Sequence, residues 1–161
     1  MAIFTVAGSK ISIGAALPSK ATDFVVADFA SQTWQEVGNV ETLGTFGDTS
    51  EETTFDDIGK ARRQKLKGVR DAGTLEIVCG LDYSDAGQAA LVAAEKVPHE
   101  FAIRVEFSDK PSGASPKNSI RYFVARIMSA AEALEAAGDV AKLNVSMSIN
   151  SNIVRVAASA T

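Results

Sequence analysis

The sequence predicts a mainly β domain with one substantial helix, and three observations carry that prediction. Several segments alternate apolar and polar residues with a period of two, which puts the apolar side chains on one face of a strand. A single stretch carries both helix-start and helix-stop signals. The 161 residues are enough for one domain with its own core.

Lys142 to Asn150 alternates most cleanly, with Leu143, Val145, Met147 and Ile149 set against Asn144, Ser146 and Ser148. In Thr74 to Asp82 the inward set is Leu75, Ile77, Cys79 and Leu81. In Glu100 to Asp109 it is Phe101, Ile103, Val105 and Phe107. Ile120 to Met128 has apolar residues on both faces, the pattern of a strand covered on both sides. Lys10 to Ala16 and Trp34 to Thr45 are weaker strand candidates.

The helix runs over Ala86 to Lys96. Asp85 can cap it, Gln88 three residues on completes a capping-box pattern, and Pro98 stops it. Ser129 to Ala137 has helical composition, but Gly138-Asp139 reads as a two-residue hairpin turn joining a long strand to the one at Lys142. The hairpin is the reading adopted. Asp109 to Ser119, rich in Pro, Ser and Gly, is an exposed loop.

Composition bounds the function classes. Hydrophobic residues make up 46% and charged residues 22%, close to the globular average, which excludes wholesale disorder. No apolar run approaches the roughly 18 to 20 residues of a membrane span, and Met1 to Lys10 carries no signal-peptide pattern. No membrane anchor is expected. The single cysteine, Cys79, cannot form an internal disulfide and fits synthesis in a reducing cytoplasm.

Chemistry is sparse. His99 is the only histidine, and nothing nominates a nucleophile for it. One His and one Cys cannot build an ordinary zinc site. The run Asp48 to Asp57 lacks the spacing and glycine of an EF-hand, and no glycine-rich phosphate loop is present. Neither a cofactor nor an enzymatic activity is expected.

Gly44 to Gly73 is the longest irregular region in this reading. It opens with Asp48, Glu51, Glu52, Asp56 and Asp57 and closes with Lys60, Arg62, Arg63, Lys65, Lys67 and Arg70. Such a loop inside a compact domain is usually functional or disordered. The basic block lacks interleaved aromatics for base stacking, and the formal charge of −4 places it on an acidic body. Two readings stand: a solvated loop, or an interface in which the acids of one copy meet the bases of another.

From Trp34 to Ser108 the chain resembles the tail tube proteins of long-tailed bacteriophages. The matching order is a Trp-led strand, a glycine turn with a Thr/acid-rich loop, and Lys67-Gly68-Val69-Arg70-Asp71-Ala72-Gly73 leading into a strand. Then come Asp82-Tyr83-Ser84-Asp85-Ala86-Gly87-Gln88 opening a short helix, a strand around Arg104, and Gly138-Asp139-Val140 before an alternating last strand.

The resemblance implies a single tail tube domain over 1–161, a two-sheet β-sandwich or barrel with one flanking helix. Its arms would be 1–9 and 151–161, and its long loop, 44–73, would reach an adjacent ring. It implies hexameric rings stacked into a tube in a virion tail assembled in the host cytoplasm. The implied partners are other copies, tape-measure protein, tail terminator and baseplate or distal tail proteins. DNA would pass through the lumen without specific binding, and a negative wall suits that, because each phosphate contact adds salt-dependent retention. The ring contacts are expected at Asp48, Glu51, Glu52, Asp56, Asp57, Lys60, Arg62, Arg63, Lys65 and Lys67. A carbohydrate-binding β-sandwich is the competing reading. It would want exposed aromatics, and Trp34, Tyr83 and Tyr122 are few and scattered.

Overall fold

Alternation at Lys142–Ile149 and Thr74–Gly80 becomes antiparallel pairing, because a period of two buries every second side chain only if the chain is extended. The computed structural model describes residues 3–161, so Met1 and Ala2 of the expected arm at 1–9 lie outside the described residues. In chain order the strands are β1 (Lys10–Ala16), β2 (Gln35–Glu36), β3 (Val40–Thr42), β4 (Thr49–Asp57), β5 (Arg62–Asp71) and β6 (Thr74–Gly80). The helix α1 (Ala86–Glu95) follows, then β7 (Phe101–Glu106), β8 (Ile120–Ala133), β9 (Lys142–Ile149) and β10 (Val154–Val156).

One sheet has the order β2-β1-β7-β8-β9-β6-β3, with β10 added alongside β8, and a second sheet consists of β4 and β5. With α1 flanking the larger sheet, this is the expected mainly β, two-sheet architecture with one helix.

The larger sheet buries one face. Ile11, Ile13, Ile103, Val105, Phe123, Ile127, Leu143, Val145, Met147, Leu75, Ile77 and Cys79 meet there, and Leu91 and Ala94 of α1 close over them. Each fully buried side chain of this size stabilises the fold by about 1.5–3 kcal/mol relative to exposure. The double-sided pattern of β8 also has its cause. On the reverse face Val124 and Tyr122 pack with Ala102, Phe24, Phe29, Trp34 and Val154 in a second cluster, under the segment that carries a short 3-10 turn at Val26–Phe29.

Asp85 caps α1 by accepting from the Gln88 backbone N–H at 2.8 Å. Gln88 does not complete the box. Its buried amide accepts from the Asp82 N–H at 3.0 Å and donates to the Gly80 and Gly38 carbonyls at 2.8 and 3.1 Å, tying the helix to two loops. Gly87 permits the approach, since a Cβ there would lie 2.1 Å from the Glu36 carbonyl oxygen.

Two expectations are corrected. Residues 44–73 are not irregular: β4 and β5 form a long hairpin with a four-residue turn. Its strands hold few apolar residues (Phe55, Leu66 and Val69) among charged and hydroxyl side chains, so no period of two marks them in the sequence. Second, the β8–β9 hairpin is present, but its turn is not Gly138-Asp139 alone. Residues 134–141 form the connection, with Asp139 N–H donating to the Ala136 carbonyl and the Asp139 carboxylate accepting from Ala136 N–H. Gly138 has no positive φ, which a Gly-first two-residue turn demands. The C-terminal segment 151–161 lies back on the body, through β10 against β8 and Ser159 against Lys117.

Candidate assembly surface

β4 and β5 pair with each other and with no strand of the larger sheet. Nearly every side chain of the hairpin is exposed. An isolated two-stranded hairpin is marginally stable in water, so a long one projecting from a domain gains most from a partner.

Its register sorts the residues by face. Thr53 opposes Leu66, Phe55 opposes Gln64, and Asp57 opposes Arg62 on one side; Glu52 opposes Lys67, Thr54 opposes Lys65, and Asp56 opposes Arg63 on the other. A bulge lies between Ser50 and Glu52. Gly68 serves the crowded backbone there, since a Cβ would sit 2.9 Å from Thr53 Oγ1.

The charged side pairs within the chain. Arg63 makes a two-point contact with Asp56 at 2.8 and 3.1 Å, and Lys65 lies 3.4 Å from Glu52. Near the base Arg70 meets Asp48 at 2.7 Å, and at the tip Lys60 stands 3.7 Å from Asp57. The hydrogen bond from Arg63 holds the Asp56 carboxyl below the usual carboxylate range. The sequence reading sent these acids to bases on another copy; the structure brings four of the five to bases of the same hairpin. Glu51, Arg62 and Lys67 form no ion pair among the described residues.

The other side carries what the sequence reading missed. Phe55 and Leu66 are 56% and 55% exposed, and Ile58 at the tip is fully exposed. Thr53, Phe55 and Leu66 share that side because Leu66 stands opposite Thr53 in the register, a pairing that the linear sequence does not display.

Elsewhere the candidate chemistry is dispersed. The buried Cys79 thiol is pushed up to about 11 by burial and by the nearby Asp85 charge, so it is protonated at neutral pH. His99 is exposed beside Glu100, whose carboxylate accepts from Arg126 and Asn150. Trp34 and Tyr122 pack into the second cluster, their rings tilted by 32° with centroids 5.7 Å apart. Of the three aromatics considered for sugar binding, Tyr83 alone is exposed, and its hydroxyl donates to the Glu132 carboxylate at 3.3 Å.

The reverse face of the larger sheet is open where the second cluster ends. Thr74 and Glu76 of β6 and Asn144, Ser146 and Ser148 of β9 line it. Arg126 of β8 lies at its border, paired with Glu100 at 3.3 Å.

No protein-family model and no curated protein matches the sequence. Solved structures do. A chain in the sixfold-symmetrised cryo-EM structure of the anti-feeding prophage baseplate aligns with a TM-score of 0.69 at 10% identity, over 98% of each chain. A chain in the PVC extracellular contractile injection system sheath–tube complex, in its extended state, aligns at 0.61 and 10% identity, over 96% of this chain and 92% of that one. The SPP1 tail tube aligns at 0.59 and 15% identity, over 95% of this chain and 80% of that one. The chain therefore has the fold shared by tail tube and contractile-injection components.

Proposed function

We propose that the chain is a structural tail tube subunit that forms hexameric rings, stacks them into a hollow tube in a virion tail, and serves as a conduit for DNA. The observation that carries this is the fold likeness to a tail tube and to chains of a sheath–tube complex and a baseplate, over nearly the whole chain at under 16% identity, a range in which architecture outlasts sequence. The free hairpin supports it, because a subunit that must hold neighbours has a use for a projecting, two-faced strand pair. Tape-measure protein, a terminator and a baseplate are the further partners of this reading, assembly is in the host cytoplasm, and no catalysis is assigned.

In this proposal the hairpin (Asp48 to Arg70) and the arms at 1–9 and 151–161 make the inter-subunit contacts. The apolar side of Phe55, Ile58 and Leu66 contributes the burial, while the paired charges on the opposite side keep the hairpin soluble before assembly. Substituting Phe55→Ser and Leu66→Ser together should leave the melting temperature of the body nearly unchanged, because neither side chain belongs to the core. Sedimentation should show loss of large assemblies; wild-type assembly by this variant would remove the hairpin from the interface.

The open face of β6 and β9 is the channel wall in this reading. It offers hydroxyls, an amide and one carboxylate, and its lysine, Lys142, is paired with Glu41 at 2.8 Å, so it has little with which to hold phosphates. Double-stranded DNA should not shift in a gel at physiological salt. Tight binding that weakens steeply with added salt would contradict a passive conduit.

A further inference from the structure

β8 is 14 residues long, and its two ends carry opposite chemistry. At its start Arg121 stands directly across from Arg155 of β10. Like charges opposed in a ladder are destabilising. The Arg121 guanidinium donates to the Ile120 and Val156 carbonyls at 3.0 and 3.3 Å and lies over the Phe107 ring at 4.7 Å. Burial and the charge of Arg155 push its pKa down, partly countered by Asp109. Asp109 itself is engaged by the Ser119 N–H and hydroxyl at 2.7 and 2.5 Å. Neither arginine forms an ion pair among the described residues. Both border a groove of about 340 Å³ whose apolar lining includes Phe4, Leu43, Phe46 and Phe107. An apolar floor under two guanidinium groups that form no ion pair fits an aliphatic chain that carries carboxylates.

The far end of β8 supplies such a chain. The connection 134–141 projects Leu134 and Val140, 72% and 69% exposed, among the exposed Glu132, Glu135 and Asp139. None of these three carboxylates is within ion-pair distance of a base among the described residues; Glu132 accepts from the Tyr83 hydroxyl at 3.3 Å, and Lys142, whose charge Glu135 and Asp139 feel at longer range, is paired with Glu41 at 2.8 Å. The hairpin tip, Phe55 to Ile58, also combines acid with apolar side chains. Its acids are already matched by Arg63 and Lys60, so it brings less uncompensated charge.

We propose that the loop at 134–141 of one copy seats in the Arg121–Arg155 groove of the next. Arg121 and Glu132 are eleven residues apart on one strand, about 36 Å at about 3.3 Å per residue. Complementary patches that far apart on one molecule make a heterologous contact, which extends along β8 instead of closing a two-fold pair. The proposal deepens the tube reading and rests on it for its biological meaning, by naming a contact that stacks copies head to tail.

The test uses the full-length chain, sedimentation velocity and electron microscopy. Arg155→Glu and Glu135→Arg, made separately, alter exposed side chains and should melt as wild type does while losing large assemblies. An equimolar mixture of the two should recover them, because the unaltered loop of the first variant then meets the unaltered groove of the second, and the two altered positions face each other with opposite charges. Single variants that assemble like wild type overturn the proposal, even if wild-type tubes uphold the tube reading. Loss without recovery in the mixture also overturns it and favours the hairpin tip as occupant. Wild-type chains that associate end to end, sensitively to both substitutions but without hollow tubes, uphold this contact and remove the tube reading. Wild type that stays monomeric overturns both.

Discussion

Gln88 is 2% exposed and uses both ends of its amide, joining the start of α1 to the carbonyls of Gly38 and Gly80 and to the N–H of Asp82. Truncation to alanine removes the partner from three backbone groups, and buried groups left unpaired cost more than the bonds themselves return. Gln88→Ala should destabilise the chain by about 1–3 kcal/mol, read as a lower denaturation midpoint with an unchanged slope. A change within 0.3 kcal/mol would mean water replaces the amide without loss. The cap at Asp85 was legible in the sequence, because capping is local and its partner is three residues away. The staple at Gln88 was not, because Gly38 lies 50 residues away and only the fold brings it close. The same distinction explains Cys79: its inward position followed from alternation, while its raised pKa needed the finished core and Asp85 around it.

The strands that bury a face were legible because burial enforces the period, and β1 and β9 fall within a residue of their expected limits. The hairpin of β4 and β5 was not, because it buries neither face in a single copy and so shows no apolar stripe broad enough to declare it. Its acid and base runs instead suggested contacts between copies, whereas antiparallel pairing folds the two runs onto each other. Charge content announced a special region; only register could assign the partners. Local stability should follow the packing. Backbone amides of β4 and β5 should exchange hydrogen much faster than those of β8 and β9 in dilute, unassembled protein. They should gain protection when the protein is concentrated into assemblies. Equal protection of both hairpins in the dilute protein would show that β4 and β5 need no partner.

On the scale of the molecule, the chain is polarised along β8. Near its end Glu41, Asp82, Glu132, Glu135 and Asp139 outnumber Lys142, and near its start Arg121, Arg155, Lys110 and Lys117 outnumber Glu106 and Asp109. A free hairpin and a sheet face lined by hydroxyls complete a body with surfaces suited to neighbours and with its candidate catalytic groups dispersed. The likeness at this scale was legible through the order of short motifs, each with a local cause: Gly68 at a bulge, Asp85 as a cap, Gly87 where helix meets strand. How copies contact one another was not, since interfaces depend on surfaces assembled from distant segments. The most direct measurement is electron microscopy of the purified protein concentrated without any partner. Hollow tubes with sixfold symmetry in cross-section and a regular axial repeat are expected. A field of single particles at every concentration, or solid filaments without a central channel, would contradict the tube reading.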